Sequence, residues 1–317
     1  MIRAWWARPC AADLSDAQAE LGFAVSGPEL ADRADAQVIF AGGEPYTADV
    51  IAELRDVQIV ARVGIGYDAV DLDAATERGV LVTNTPEGPT TSTAEHTVAL
   101  VMAVTHELTA SAARLRAGTG DYIGQQRSME LSGQTLGLLG LGRIGRAVSA
   151  MAQAIGMTVI ATDPAVVDSD VADIEMVDVA DLFARSDVLS LHAPATLATT
   201  GLIDADAFAA MKPGSVLVNC ARGPIVNTDD LVAALESGHL MGAGLDVTDP
   251  EPLDPAHPLL HMDNVIVTPH IASSTVAGRR RMDEMAIEQV SMALRHETPT
   301  HLLNPAVLTN PLCALSQ

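Results

Sequence analysis

Basic residues are scarce. Eighteen Lys and Arg face 41 Asp and Glu over 317 residues, a formal charge of −23, and Lys212 is the only lysine. So acidic a chain has no basic face to offer phosphate backbones, which excludes a general nucleic-acid partner and disfavours an anionic membrane surface. Its three cysteines, Cys10, Cys220 and Cys313, are odd in number and widely spaced. They suggest neither a disulfide framework nor a zinc site, and no metal is expected. No apolar run reaches the roughly 18 residues of a membrane span. The longest charge-free run near the middle, 147–162, contains Gln153 and is broken by Gly156. The first nine residues lack an apolar signal-peptide core, so a soluble, cytoplasmic protein is expected. The two tryptophans, Trp5 and Trp6, read as one core and one surface residue, not as a stacking platform.

Apolar residues are plentiful, at 48%, and charged residues make up 19%. That supplies a buried core, and at roughly 150 residues per domain the length predicts two domains. Apolar runs occur at 38–41, 59–63, 80–83, 135–139, 157–161, 188–191, 215–219, 242–247 and 265–267. Helical patterns lie between them. Continuous apolar strands separated by helices predict an α/β fold of parallel sheets covered on both faces. Ser92-Thr93-Ala94-Glu95 reads as a capping box ahead of the apolar residues 98–104. Asn227 or Thr228 caps a later helix that ends before Gly238, and a long final helix is expected over about 274–296.

Gly140-Leu141-Gly142-Arg143-Ile144-Gly145 follows the 135–139 strand and opens a helical pattern. In that context the glycines allow a tight turn and close backbone approach, and the helix N-terminus suits a pyrophosphate. Asp163 follows the next strand, 18 residues after Gly145, where a carboxylate bonds ribose hydroxyls and repels a 2′-phosphate. NAD is the cofactor expected.

Three further candidates follow strands: Arg222 in Asn219-Cys220-Ala221-Arg222-Gly223, Glu251 in Asp249-Pro250-Glu251-Pro252, and His270 in Thr268-Pro269-His270. An arginine forks onto a carboxylate, a histidine exchanges a proton with a carbonyl/alcohol pair, and a glutamate fixes the histidine tautomer. Singly, each has a bland reading: a surface ion pair, a rigid turn, a core histidine. Spacing alone leaves both readings open. His257 and His261 do not form a metal pair, because Pro258 interrupts the helix that would align them. Cys220 reads as inert packing.

The sequence resembles the D-isomer-specific 2-hydroxyacid dehydrogenase family, the group that includes D-3-phosphoglycerate dehydrogenase. The likeness rests on Arg62-Val-Gly-Ile-Gly-Tyr-Asp-Ala-Val-Asp71, Thr83-Asn-Thr-Pro-Glu-Gly88, Ser92-Thr-Ala-Glu-His96 and the glycine turn. It continues through Leu191-His-Ala-Pro194, Met211-Lys-Pro-Gly214, Asn219-Cys-Ala-Arg-Gly223, Gly244-Leu-Asp-Val247 and Thr268-Pro-His270, in the family's order. The resemblance implies two Rossmann-like domains, one flavodoxin-like and one NAD-binding, with the NAD domain inserted and the active site in the cleft. The catalytic, substrate-binding domain would take 1–92 and 291–317, and the NAD domain 93–290. It further implies His270 as proton donor or acceptor, Glu251 as its support, and Arg222 as the holder of the substrate carboxylate and carbonyl. Substrate binding is expected from Arg62 and the backbone N–H groups of Val63, Gly64, Ile65 and Gly66, with Asn84 ordering the cleft. Cofactor contacts are expected from Thr93, Gly140, Gly142, Arg143, Ile144, Gly145, Asp163, His192, Pro194, Ala221 and Asp246, the last as acceptor of the carboxamide.

By the same resemblance the substrate is a small 2-oxo/2-hydroxy acid, such as glyoxylate, hydroxypyruvate or 3-phosphoglycerate, and the assembly a homodimer. The turn after 38–41, Gly42-Gly43, carries no basic side chain to meet a phosphate. Two other readings share the fold: a formate- or phosphite-type dehydrogenase, and an NAD-gated, corepressor-like interaction protein without turnover.

Overall fold

The computed structural model describes residues 2–316, apart from 23, 27–29, 119, 122 and 167–170. Two compact units divide the chain: 1–90 with 274–317, and 91–273.

The first unit is built on strands β1 (Arg3–Trp6), β2 (Ala24–Ser26), β3 (Val38–Ala41), β4 (Ile59–Arg62) and β5 (Leu81–Thr83). They lie in the order β2-β1-β3-β4-β5, and every pairing is parallel. That order is the flavodoxin-like one. Side chains alternate between two apolar layers: Trp6, Phe40, Ile59 and Ala61 pack on one face, and Trp5, Ile39, Ala41 and Val60 on the other. Both tryptophans are thus core residues, at 1% and 3% exposure, and Trp6 stacks on Phe40 with ring centroids 3.7 Å apart. The expectation of one surface tryptophan is corrected by the double-sided burial of β1.

The long helix Val276–Leu294 belongs wholly to this unit. The units divide at 273/274, and the expected boundary at 290/291 would have cut this helix. Its residues Met282, Ala286, Val290 and Ala293 recur on one face and join the layer of Trp6 and Phe40. Thr275 caps it, accepting from the Gly278 N–H. Asp283 on the same helix is fully buried; it takes Arg8 Nη2 at 2.7 Å and the Ala11 N–H, tying down the loop after β1. Replacing Asp283 with alanine strands a half-buried guanidinium. The expected cost is about 3 kcal/mol, near the low end for broken buried pairs because Arg8 keeps some solvent, measured by urea unfolding.

The second unit holds β6 (Thr135–Leu139), β7 (Thr158–Thr162), β8 (Ile174–Met176), β9 (Val188–Leu191), β10 (Ser215–Asn219), β11 (Leu240–Leu245) and β12 (Val265–Val267). Their order is β12-β11-β10-β9-β6-β7-β8, again entirely parallel. Counted from β6, this is the doubly wound dinucleotide-binding order, with the switch point between β6 and β9. Leu136, Leu138, Val216 and Val218 face one layer, and Leu139, Leu189, Leu191 and Leu217 the other. Burial on both faces is the reason these strands read as unbroken apolar runs.

The helix Thr90–Thr105 starts two residues before the expected cap, and Ser92 is buried inside it. Pro89, with φ fixed by its ring, is preorganised to lead into the first turn, so the capping-box reading of Ser92 to Glu95 is corrected. Asn227 does cap the helix Thr228–Glu236, accepting from the Asp230 N–H, and Gly238 follows with φ +73°.

Candidate active site

In an open parallel sheet, the loops leaving the C-terminal strand ends gather on one side. The second unit places Arg222 after β10, Glu251 after β11 and His270 after β12, and these three strands are neighbours. The Glu251 Oε1 lies 2.8 Å from His270 Nδ1, and both side chains are exposed, at 41% and 47%. With Glu251 accepting from Nδ1–H, Nε2 is left as the atom for proton exchange.

The turn carrying His270 is held tightly. His270 has φ +53°, a left-handed conformation uncommon for a residue with a Cβ. Its N–H donates to the Asp246 carbonyl at 2.8 Å. The carboxylate of Asp246, 1% exposed, accepts from Thr268 Oγ1 at 2.6 Å and from the Ile271 and Ala272 N–H groups at 2.8 Å each. Asp246 thus encircles residues 268–272. The carboxylate expected to accept from a carboxamide takes two of these bonds on Oδ1 and one on Oδ2.

Arg222 is half-buried, with an extended backbone. Its Nη1 donates to the Ala221 carbonyl at 2.7 Å, and its own carbonyl accepts from Asn219 Nδ2 at 2.9 Å. Asn219, 1% exposed, also accepts the Ala221 N–H at 3.0 Å and so shapes the whole turn. Sequence reasoning assigned Asn219 no role, yet a buried amide at a strand end was the available signal.

The glycine turn leaves β6 at the switch point. Gly140 has φ +101°, and a Cβ there would sit 2.7 Å from the His192 carbonyl oxygen. A Cβ at Gly145 would collide with the Gly140 carbonyl, whereas Gly142 has open space above it. The turn is thus close-packed beneath and open where a phosphate would approach. Arg143 is the first residue of the helix Arg143–Ala154, Ile144 the second, and Gly142 caps it. Asp163, after β7, accepts from the Leu141 N–H at 2.8 Å and the Ala165 N–H at 2.9 Å, which fixes its carboxylate beside the glycine turn. His192, after β9, has Nε2 2.9 Å from Ser190 Oγ. Burial pushes its imidazole down to about 4, so it is neutral at pH 7. Pro194 is exposed near it, Ala221 is half-buried, and Thr93 is buried in the helix Thr90–Thr105, its carbonyl accepting from Thr97 Oγ1 at 2.8 Å. Burial raises the Cys220 thiol to about 12, so it stays protonated and inert as a nucleophile. Among the described residues no group of three or more His, Cys, Asp or Glu could hold a metal ion.

Alanine at Gly140 is expected to destabilise the chain by roughly 2 kcal/mol or more, from the positive φ and the clash with His192. NADH affinity should fall more than about tenfold, since the turn must move. Thermal unfolding and a fluorescence titration with NADH measure both.

In the first unit, the loop after β4 begins at Arg62, whose Nη1 donates to the Ala41 carbonyl at 3.4 Å and the Val63 carbonyl at 2.9 Å. The Val63 N–H donates to Ala41 at 2.9 Å and the Gly64 N–H to Arg62 at 3.0 Å, both within the fold. This corrects the expectation that Val63 and Gly64 offer donors to a carboxylate. The Ile65 and Gly66 N–H groups donate to no described residue. Asn84 Nδ2 donates to the Ile65 carbonyl at 2.8 Å, fixing the plane of the Gly66 amide.

Residues 98–272 match the family model described as "D-isomer specific 2-hydroxyacid dehydrogenase, NAD binding domain". The chain belongs to this family. This family member is 44% identical over 255 residues to a D-3-phosphoglycerate dehydrogenase of Mycobacterium leprae, covering 79% of this chain and 47% of that relative. It therefore spans about half the length of that protein. Against a glyoxylate reductase of Thermofilum pendens it is 38% identical over 267 residues, covering 82% of this chain and 79% of the relative. Among solved structures, the TT0316 protein of Thermus thermophilus superposes with a TM-score of 0.88 at 37% identity, covering 95% of this chain and 100% of that one. The second unit of this family member, with its glycine turn at the switch point, is its NAD binding domain.

Proposed function

We propose that the chain is an NAD-dependent D-2-hydroxyacid dehydrogenase that interconverts a small 2-oxo acid and its 2-hydroxy acid. The observation that carries this reading is the 2.8 Å contact of Glu251 with His270 Nδ1, with Arg222 at the end of β10, the strand next to that of Glu251. His270 Nε2 gives its proton to the carbonyl oxygen as the ketone is reduced and takes it back in the reverse direction. Glu251 holds the ring and stabilises the imidazolium, since a carboxylate favours the cation it faces. Arg222 draws the anionic substrate by charge and polarises its carbonyl.

The residues fit the cofactor. The open approach over Gly142, the helix N-terminus at Arg143 and Ile144, and the Asp163 carboxylate suit the pyrophosphate and ribose of NAD, with Gly140 and Gly145 shaping the turn. Thr93, His192, Pro194 and Ala221 are further contacts by this reading. NAD(H), when bound, supplies or accepts the hydride.

In the first unit, we assign the Ile65 and Gly66 N–H groups to a substrate carboxylate, with Arg62 bracing their loop. That unit is the substrate-binding domain by the same reading. Glyoxylate and hydroxypyruvate are the preferred substrates, because the turn after β3 carries Glu44 and no cation. A homodimer and a cytoplasmic location complete the reading. No helix of the described residues is long and apolar enough to cross a membrane.

The test is NADH consumption with glyoxylate, hydroxypyruvate, pyruvate, phenylpyruvate and 3-phosphohydroxypyruvate. Turnover of at least one is expected, and no turnover of any would overturn the proposal.

A further inference from the structure

His96 lies on the helix Thr90–Thr105, one turn from the buried Leu100 and beside the buried Thr97. Its side chain is 22% exposed, and its Nε2 lies 3.1 Å from Thr268 Oγ1 and 3.5 Å from Asp246 Oδ1. Thr268 has one hydroxyl hydrogen and gives it to Asp246 Oδ1 at 2.6 Å. A carboxylate only accepts, so the hydroxyl hydrogen is committed there. The contact from His96 must then run the other way, with Nε2–H donating to Thr268 Oγ1. This fixes the His96 tautomer and gives the chain a direction: imidazole N–H to hydroxyl, hydroxyl to carboxylate.

The carboxylate at the end of that chain secures residues 268–272. Asp246 holds the Ile271 and Ala272 N–H groups at 2.8 Å, and its carbonyl holds that of His270. Three groups from 268–272 are thus tied to one buried anion, and His96 reaches it from a different element. Hydrogen bonds that end on a charged group polarise one another, so losing the first donor loosens the others.

We propose that His96 is a positioning residue: through Thr268 and Asp246 it fixes the turn that presents His270, without touching the reacting atoms itself. The kinetic part of this rests on the dehydrogenase reading, and the structural part does not.

Amide hydrogen exchange at Ile271 and Ala272 is the test that needs no turnover. His96→Leu removes the donor and should accelerate exchange at both amides about tenfold, while strands β6 and β9 exchange as before. His96→Gln carries an N–H at a similar reach and should restore most of the protection. Thr268→Val removes the middle link, and the double variant His96→Leu/Thr268→Val should exchange no faster than the worse single variant, because both cut one chain. With the best 2-oxo acid, His96→Leu should lower kcat about tenfold at nearly unchanged KM and NADH affinity, and His96→Gln should recover it.

Unchanged exchange at Ile271 and Ala272 in His96→Leu overturns the proposal, as does additive loss in the double variant or failure of glutamine to rescue. If the wild-type chain turns over no 2-oxo acid, the dehydrogenase reading fails and the exchange data still decide the role of His96. Should His96→Leu not fold, His96→Gln and Thr268→Val carry the same comparison.

Discussion

Replacing His270 with alanine is expected to lower kcat for 2-oxo acid reduction by about 10²- to 10⁴-fold, the range that a positioned general acid contributes. NADH affinity should stay nearly unchanged, because the glycine turn and Asp163 lie after β6 and β7, several strands from β12 in the sheet. The loss should fall on kcat rather than KM, since the imidazole acts on charge that develops only as the carbonyl is reduced. Glutamine at 270 should do no better than alanine, as an amide cannot give up a proton. Glu251→Gln should show a smaller loss of the same kind: an amide still contacts Nδ1 across the 2.8 Å gap but does not stabilise the imidazolium. Steady-state kinetics beside an NADH titration separate the two parameters. Equal kcat in His270→Ala and wild type would remove His270 from the chemistry.

The second large effect is expected at Arg222. Arg222→Gln should lower kcat/KM on the order of 10³-fold, through both weaker substrate binding and a less polarised carbonyl. The surrounding fold is built to hold this side chain: Asn219 grips the turn at both ends, and Nη1 is anchored on the Ala221 carbonyl at 2.7 Å. That anchor on the Ala221 carbonyl sets the direction in which the planar guanidinium leaves the turn. Lysine at 222 should recover only part of the rate, because a single ammonium cannot keep the anchor and fork onto a carboxylate together. In a chain of net charge −23, an anionic substrate depends on such local cations. Full activity in Arg222→Gln would show that the anion is held elsewhere.

The architecture was largely legible in the sequence. Strands β3, β6, β9, β10 and β12 fall where their apolar runs lie, because burial on both faces leaves no polar gap in the sequence. β1 was missed: only Ala4, Trp5 and Trp6 are apolar in it, between Arg3 and Arg8, and its signal is too short to stand out. β8 is a three-residue strand at the sheet edge with Glu175 exposed at its centre, so it never reads as an apolar run. The compact units divide at 273/274, apart from the expected 290/291, because periodicity reveals the apolar face of the helix Val276–Leu294 but not which sheet that face covers.

The candidate site was legible as residue types after strands. The Glu251–His270 contact joins residues 19 apart in the chain through the order β11-β12, which spacing alone could not supply. Less legible was what each group already bonds to. Asp246 reads as a ligand acceptor in one dimension, and in three it also accepts from Thr268 and Ile271 on Oδ1 and from Ala272 on Oδ2. Val63 and Gly64 read as donors, and in three dimensions their N–H groups are already used. His96 entered only as the end of the Ser92-Thr-Ala-Glu-His96 likeness, with no role of its own, since a histidine on a helix acquires meaning only from what lies opposite it.

The most direct measurement follows the hydride itself. Purified protein is given NADH deuterated at the transferred position together with glyoxylate's larger homologue hydroxypyruvate, and the product is examined by mass and by chirality. One deuterium on the carbon bearing the new hydroxyl, in the D configuration, is the predicted result. A product without deuterium, a product of L configuration, or no product from this or any other 2-oxo acid would contradict the account.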